Sequence, residues 1–142
     1  MAPPTNTSPP TPTATLLIVD DEENVARTLQ LIFEREGYRV STANSSAQAI
    51  QTLSNGHSFD IVITDLNMER EDIGLEVARF AKRLKPAPIV VICTGFANLN
   101  NTRQALTMHV DYLATKPVDL DDLRGALSRL LTRRRDLKEG KR

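Results

Sequence analysis

The chain has 142 residues, of which 40% are hydrophobic and 25% charged, and its acidic and basic side chains are equal in number. This length suits one domain that buries a core without disulfides, and the single cysteine, Cys93, cannot form an internal one. No apolar run approaches the roughly 20 residues of a transmembrane helix and no secretory signal is visible, so we expect a cytoplasmic protein without membrane association.

The two ends of the chain differ in composition from its centre. Residues 1–14 are almost wholly Pro, Thr, Ser, Asn and Ala, too polar to offset the entropy of ordering, and we predict that they are disordered. A folded domain is predicted over residues 15–132, and a basic tail over 133–142. Residues 124–142 carry eight basic side chains against Asp136 and Glu139. Because no nucleic-acid-binding module or interleaved aromatic residue accompanies them, we expect no nucleic-acid partner.

Strand-like and helix-like patterns alternate between these ends. In chain order they are strand 16–19, helix 23–36, strand 38–43, a short helix begun at Ser45 or Ser46 and ended by Asn55–Gly56, strand 61–65, a helix after Gly74, strand 89–93, a weak helix 98–108, strand 110–115 and a last helix capped by Asp119. Such alternation predicts right-handed crossovers and a parallel sheet covered by helices on both faces.

Polar residues stand where four of these strands end. The carboxyl ends of parallel strands share one edge of a sheet, which is where such sheets bind ligands. We therefore expect three acids, a hydroxyl and a lysine to meet there. The residues are Asp20 and Asp21, Asp65, Thr94 and Gly95, and Lys116 and Pro117.

These residues, in this order on successive strand ends, resemble the receiver domain of two-component response regulators. The resemblance covers about residues 15–132. It implies a flavodoxin-like (βα)5 three-layer sandwich whose five-stranded parallel sheet has the order 2-1-3-4-5.

The resemblance also implies a role for each residue. Asp65 would accept a phosphoryl group, with Thr94 and Lys116 sharing in the chemistry. Three clustered carboxylates repel one another, and a hard cation such as Mg²⁺ relieves that repulsion. The implied metal residues are Asp20, Asp21, Asp65 and, through its main-chain carbonyl, Asn67; the implied phosphate contacts are Thr94, Gly95 and Lys116; and Pro117 resembles the cis proline that aims the lysine inward.

The implied partners are a histidine kinase or phosphotransfer protein that donates the phosphoryl group and a downstream protein target. A second copy of the chain is a further implied partner, in a homodimer formed through the fourth helix, fifth strand and fifth helix. The chain would assist its own phosphorylation and dephosphorylation without being an enzyme. Two alternatives stay open: a phosphorylation-independent interaction module or receiver fragment of a hybrid histidine kinase, and an aspartyl-phosphate phosphatase. Asp20-Asp21-Glu22 does not match the Asp-x-Asp of such phosphatases.

The chain departs from the family pattern in two places. The family usually has an aromatic residue three positions before the lysine, but this chain has Leu113 there and Tyr112 one position earlier. Whether an aromatic switch operates is therefore an open question. Glu69 replaces a usual proline, and Gly74 is nine residues past Asp65 where the family has eight. We expect this longer, acidic loop to alter partner choice or the lifetime of the phosphoryl group.

Overall fold

A computed structural model describes residues 14–95 and 98–138. Within these ranges, five parallel strands form one sheet in the order β2-β1-β3-β4-β5. Five helices alternate with the strands: β1 (Thr15–Val19), α1 (Glu23–Arg35), β2 (Arg39–Ala43), α2 (Ser46–Ser54), β3 (Ile61–Asp65), α3 (Gly74–Lys82), β4 (Ile89–Thr94), α4 (Leu99–Thr107), β5 (Tyr112–Thr115) and α5 (Leu120–Lys138). The predicted three-layer α/β architecture and strand order are confirmed.

Two of the predicted segments lie largely beyond the described residues. The segment predicted to be disordered, 1–14, falls outside them except for Ala14, and so do residues 139–142 of the predicted tail. Within 14–95 and 98–138, we find no helix whose length and hydropathy would let it cross a bilayer.

The core has two layers because the central strands are buried on both faces. On one face, Leu17 and Val62 pack with residues of α2 and α3 such as Leu53. On the other face, Ile63 packs with residues of α1 and α5, among them Phe33. Fully burying one such side chain stabilises the fold by about 1.5–3 kcal/mol. These two layers hold the strands in register and so fix where their carboxyl ends meet.

Helix ends follow the predicted signals, with one choice resolved. Ser45 is the cap of α2, since its hydroxyl accepts a hydrogen bond from the Gln48 N–H at 3.1 Å. Ser46 is instead the first residue of the helix and is buried. Gly37 follows α1 with a φ of +100°, in the left-handed region that glycine adopts without strain.

Strand β5 shows which way the two candidate switch residues face. Its register with β4 is regular from the Val91–Tyr112 pair onward, without a bulge. Leu113 packs on the α2–α3 side of the sheet, and Tyr112 packs on the α1–α5 side. Because alternate residues of a strand share a face, Thr94 lies on the same side as Leu113. The family's aromatic position is therefore filled by leucine, and Tyr112 faces the opposite layer.

Helix α5 is capped as predicted but continues past residue 132. The Asp122 N–H donates to the Asp119 carboxylate at 3.0 Å, which begins the helix. The helix runs to Lys138, so the predicted tail begins inside it. The Arg134 guanidinium donates to the Asp60 carbonyl at 2.8 Å and holds this last part against the loop before β3. The Asp60 carboxylate also accepts the Thr15 N–H at 2.8 Å.

Candidate functional site

Adjacent strand ends bring three predicted acids together. Strand β1 lies beside β3 with Val19 paired to Thr64, so the residues that follow each member of the pair, Asp20 and Asp65, are neighbours. One carboxylate oxygen from each of Asp20, Asp21 and Asp65 lies within 4.8 Å of the others. Asp20 and Asp65 are buried, whereas Asp21 is exposed, so the cluster opens to solvent on the Asp21 side.

The two buried acids are costly to ionise. Burial raises the pKa of the Asp20 carboxyl, and the neighbouring Asp65 and Asp21 charges raise it further. A hydrogen bond of 2.9 Å from the Glu22 N–H opposes part of this rise, so Asp20 also serves as a turn residue before α1. Burial likewise raises the pKa of Asp65, although its bond to Lys116 offsets part of the effect. A cation at this edge would favour the ionised forms.

Lys116 reaches the cluster from the end of β5. Its ammonium nitrogen is 3.0 Å from Asp65 Oδ1. Burial by itself would lower the pKa of Lys116, but the hydrogen bond and attraction from Asp65 outweigh burial, and the pKa is raised. The lysine is therefore a charged partner of Asp65. Its main-chain N–H donates to the Thr94 carbonyl at 2.8 Å. The Lys116–Pro117 peptide bond is cis.

Thr94 and Gly95 lie at the end of β4, the strand between β3 and β5 in the sheet. Thr94 is the last residue of β4 and is buried, while Gly95 is exposed. A Cβ added at Gly95 would come no closer than 3.9 Å to the Lys116 Cβ. The described surroundings therefore do not require glycine at this position.

Gly74 supports the site in a way that the sequence did not reveal. Its N–H donates to the Leu66 carbonyl at 2.7 Å, and a Cβ built on it would lie 2.1 Å from the Asp65 carbonyl oxygen. Only glycine allows this close approach between the start of α3 and the end of β3. The sequence showed the glycine and its spacing, but not the backbone that it packs against.

The longer loop between β3 and α3 is held by side-chain hydrogen bonds. The Asp72 N–H donates to the Asn67 side-chain oxygen at 2.7 Å, and Asp72 has a φ of +56°. Glu69 accepts hydrogen bonds from the hydroxyl and N–H of Ser46, and the hydroxyl bond lowers the pKa of Glu69. The Glu69 charge is thus directed to the start of α2, whereas the sequence suggested only added negative charge beside the site.

The donor set of this edge fits a hard divalent cation. Three carboxylates converge, and such ions take oxygen ligands. A cavity of about 510 Å³ adjoins the cluster, with a mostly apolar lining from α1, β1 and the turn before α5. Asp65 and Lys116 are among its polar lining residues, so the cavity adjoins the acid.

Comparison with known proteins identifies the family. Residues 16–128 match the sequence model of the response regulator receiver domain. The chain belongs to this family. The receiver domain's general function is phosphorelay signalling in two-component systems, and the fold and the acidic edge described above agree with that membership.

The receiver domain is similar to parts of longer curated proteins. It is 35% identical over 117 residues to the transcriptional regulatory protein ZraR of Escherichia coli, covering 82% of this chain and 26% of that one. It is 36% identical over 118 residues to the response regulator SaeR of Staphylococcus aureus, covering 83% of this chain and 50% of that one. The chain thus spans half or less of the length of these relatives.

Solved structures share the receiver fold over nearly their whole length. A CheY-like receiver domain protein of Methanospirillum hungatei has a TM-score of 0.82 at 26% identity, with 88% of this chain and 98% of that one covered. A receiver domain of Clostridium thermocellum has a TM-score of 0.78 at 31% identity, with coverage of 87% and 98%. The response regulator TrrA of Thermotoga maritima, solved in complex with Mg²⁺ and BeF, has a TM-score of 0.72 at 26% identity, with coverage of 83% and 99%.

Proposed function

We propose that this receiver domain accepts a phosphoryl group on Asp65 from the phosphohistidine of a histidine kinase or phosphotransfer protein. One observation carries the proposal: Asp65 lies 3.0 Å from the Lys116 ammonium and converges with Asp20 and Asp21 at the open edge of the sheet. The chain would assist its own phosphorylation and dephosphorylation without turning over a separate substrate. The cytoplasmic location expected from the sequence belongs to the same proposal.

The reaction requires a nucleophile and charge compensation. An Asp65 carboxylate oxygen forms a bond to phosphorus while the phosphorus–nitrogen bond of phosphohistidine breaks, and the departing imidazole nitrogen keeps that electron pair. Lys116 supplies positive charge beside the oxygens that receive the group. The Thr94 hydroxyl and the Gly95 N–H would donate hydrogen bonds to phosphoryl oxygens, so catalysis is mainly positioning and electrostatics.

Mg²⁺ is the proposed cofactor. Asp20, Asp21 and Asp65 would hold it together with the main-chain carbonyl of Asn67. When bound, Mg²⁺ supplies positive charge that offsets both the carboxylate repulsion and the charge on the phosphoryl oxygens. Burial raises the pKa values of Asp20 and Asp65, so the two carboxylates would be ionised more readily with a cation bound, which supports this choice of cofactor. The Mg²⁺ in the TrrA complex supports the same choice.

The proposed output is contact with a downstream protein. Phosphorylation adds roughly −1.5 to −2 charge at pH 7, enough to reorder neighbouring loops. On α4, Leu99 and Leu106 are 74% and 70% exposed, and they supply apolar surface for such a contact or for a homodimer. The Leu113 position favours the alternative of a phosphorylation-independent interaction module, since the family's aromatic is replaced there.

Intact-mass measurement tests the proposal. The protein is incubated with acetyl phosphate, and separately with phosphoramidate, with Mg²⁺ or with EDTA. We expect the wild type to gain one phosphoryl group and Asp65→Asn to gain none. Asp121→Asn, which removes an exposed acid on α5, is the matched control and should gain one as the wild type does. The gain should require Mg²⁺. Folded wild-type protein that gains nothing from either donor, or an equal gain on Asp65→Asn, would contradict the proposal, and turnover of p-nitrophenyl phosphate would favour a phosphatase.

A further inference from the structure

We propose that Asp72 and Asn101 are positioning residues that tie the loop carrying Asn67 to the first turn of α4. The inference rests on the proposed function only in taking the Asn67 carbonyl as a Mg²⁺ ligand. It concerns the extra residue in the loop after Asp65, which this chain has beyond the family pattern. We call the three residues the 67–72–101 link.

The first half of the link joins Asn67 to Asp72. The Asp72 N–H donates to Asn67 Oδ1 at 2.7 Å, and the Asp72 carbonyl accepts the Leu75 N–H at 3.0 Å. Asp72 makes both bonds from a φ of +56°, a conformation that Asp tolerates better than most residues and that persists only where its surroundings impose it. Asn67, two positions past Asp65, is thus held by a hydrogen bond from the far end of its loop.

The second half joins Asp72 to α4. Asn101 is 4% exposed, and its side-chain Nδ2 lies 3.5 Å from Asp72 Oδ1. Its Oδ1 accepts the Asn98 N–H at 2.9 Å, while Asn98 Oδ1 accepts the Asn101 N–H at 2.8 Å. The amide oxygen is the acceptor in this capping box, and the amide nitrogen of the same side chain is the atom that lies near Asp72 Oδ1. One amide therefore closes the start of α4 and contacts the site loop.

A displacement of Asn67 on Mg²⁺ binding would pass through this link to the first turn of α4. Coupling between two sites is reciprocal for binding free energies, so if the link couples α4 to the acidic cluster, a substitution that breaks it at α4 changes the Mg²⁺ affinity. The link is a polar route from the site to α4 that uses neither Tyr112 nor the leucine at the family's aromatic position.

Asn101→Asp is the sharpest probe of the link. The new carboxylate can still accept the Asn98 N–H, but it places an oxygen opposite the Asp72 carboxylate, so attraction becomes repulsion. Asp72→Asn in the same chain restores a donor–acceptor pair at the wild-type net charge. Asn100→Asp is the matched control, because Asn100 is exposed and takes the same added charge one residue earlier in the same helical turn.

Mg²⁺ affinity is measured by following backbone amide shifts in an NMR titration without any phosphoryl donor. We expect Asn101→Asp to weaken binding by about fivefold or more. Asn100→Asp should bind Mg²⁺ as tightly as the wild type or slightly better, since its added negative charge attracts the cation. The double variant Asp72→Asn/Asn101→Asp should return to within about twofold of the wild type, as a coupled pair requires.

Hydrogen exchange of the α4 amides is the second readout. Mg²⁺ should alter exchange in the first turn of α4 in the wild type but not in Asp72→Gly, which adopts the same φ without strain and lacks the carboxylate. Equal Mg²⁺ affinity in Asn101→Asp and Asn100→Asp, no recovery in the double variant, or an α4 response kept in Asp72→Gly would overturn the inference. Failure of Asp65 to accept a phosphoryl group, with these effects intact, would refute the proposed function alone.

Discussion

Replacing Gly74 by alanine tests the contact that supports Asp65. The added Cβ would lie 2.1 Å from the Asp65 carbonyl oxygen and 2.8 Å from the Leu66 Cα, whereas ordinary contact begins at 3.4 Å. Both obstacles are backbone, so no side chain can rotate away. The end of β3 and the start of α3 must therefore separate by roughly 1 Å, which also lengthens the 2.7 Å hydrogen bond between Gly74 and Leu66.

The size of the effect follows from this overlap. Overpacking costs 1–3 kcal/mol in most cores, and a clash between backbones belongs at the upper end, so we expect a loss of about 3 kcal/mol. For a domain of this size the melting temperature should fall by roughly 10 °C. Because the displaced segment carries Asp65, the reaction with acetyl phosphate should also slow.

Urea unfolding followed by circular dichroism measures the loss, with two other glycines as controls. In Gly125→Ala the new Cβ would meet the flexible end of Arg129 at 3.2 Å, and helix propensity should raise stability by up to about 1 kcal/mol. Gly95→Ala has no closer neighbour than 3.9 Å and should stay within about 0.5 kcal/mol of the wild type. A Gly74→Ala variant as stable as Gly95→Ala would refute the steric reasoning.

Three further predictions follow from local contacts. Ser45→Ala removes the cap of α2 and should cost about 1 kcal/mol in urea unfolding, whereas Ser45→Asp should not. Burial raises the pKa of the Tyr38 hydroxyl, so its contribution to stability is complete below about pH 10, the unfolded value, and is lost as pH rises through the folded pKa. In a Tyr112→Phe background, the tyrosinate absorbance reports only Tyr38, and the midpoint of its pH titration should lie above pH 10 in the folded protein and fall on unfolding. A folded-state midpoint equal to the unfolded value would contradict this. Burial raises the pKa of Cys93 to about 12, so its thiol should react with an aromatic disulfide reagent only after unfolding, and fast labelling of the native protein would count against that burial.

The sequence predicted those parts of the fold that are encoded locally. The β3 bounds were correct because an apolar run ends abruptly at Asp65. The predicted start of β5 at Val110 was too early, since the Val110 N–H is still bonded to the Ala105 carbonyl at the end of α4. His109, with a φ of +59°, makes that turn in place of the glycine that would have marked it.

The acidic edge was predictable because strand order alone brings its members together. Contacts made by the loop after Asp65 were not, because Glu69 with Ser46 and Asp72 with Asn101 join residues far apart in sequence through a conformation with no local signal. The Asn98-x-x-Asn101 pattern did carry a signal for a capping box, but not for the contact with Asp72. The boundary at 132 was placed by composition, and Arg134 shows that a basic side chain there makes a specific bond.

Asp60 brings the beginning and the end of the described domain to the same place. Its carboxylate binds Thr15 at the start of β1, and its carbonyl binds Arg134 late in α5. Asp60 precedes β3 and Asp65 ends it, so this meeting point is about 17 Å from Asp65, the proposed phosphoacceptor, at the opposite edge of the sheet. A short linker could join these ends, with new termini opened in the exposed turn around Gly56. We therefore expect the domain to tolerate permutation, or insertion whole into another protein, with its acidic edge facing away from the junction.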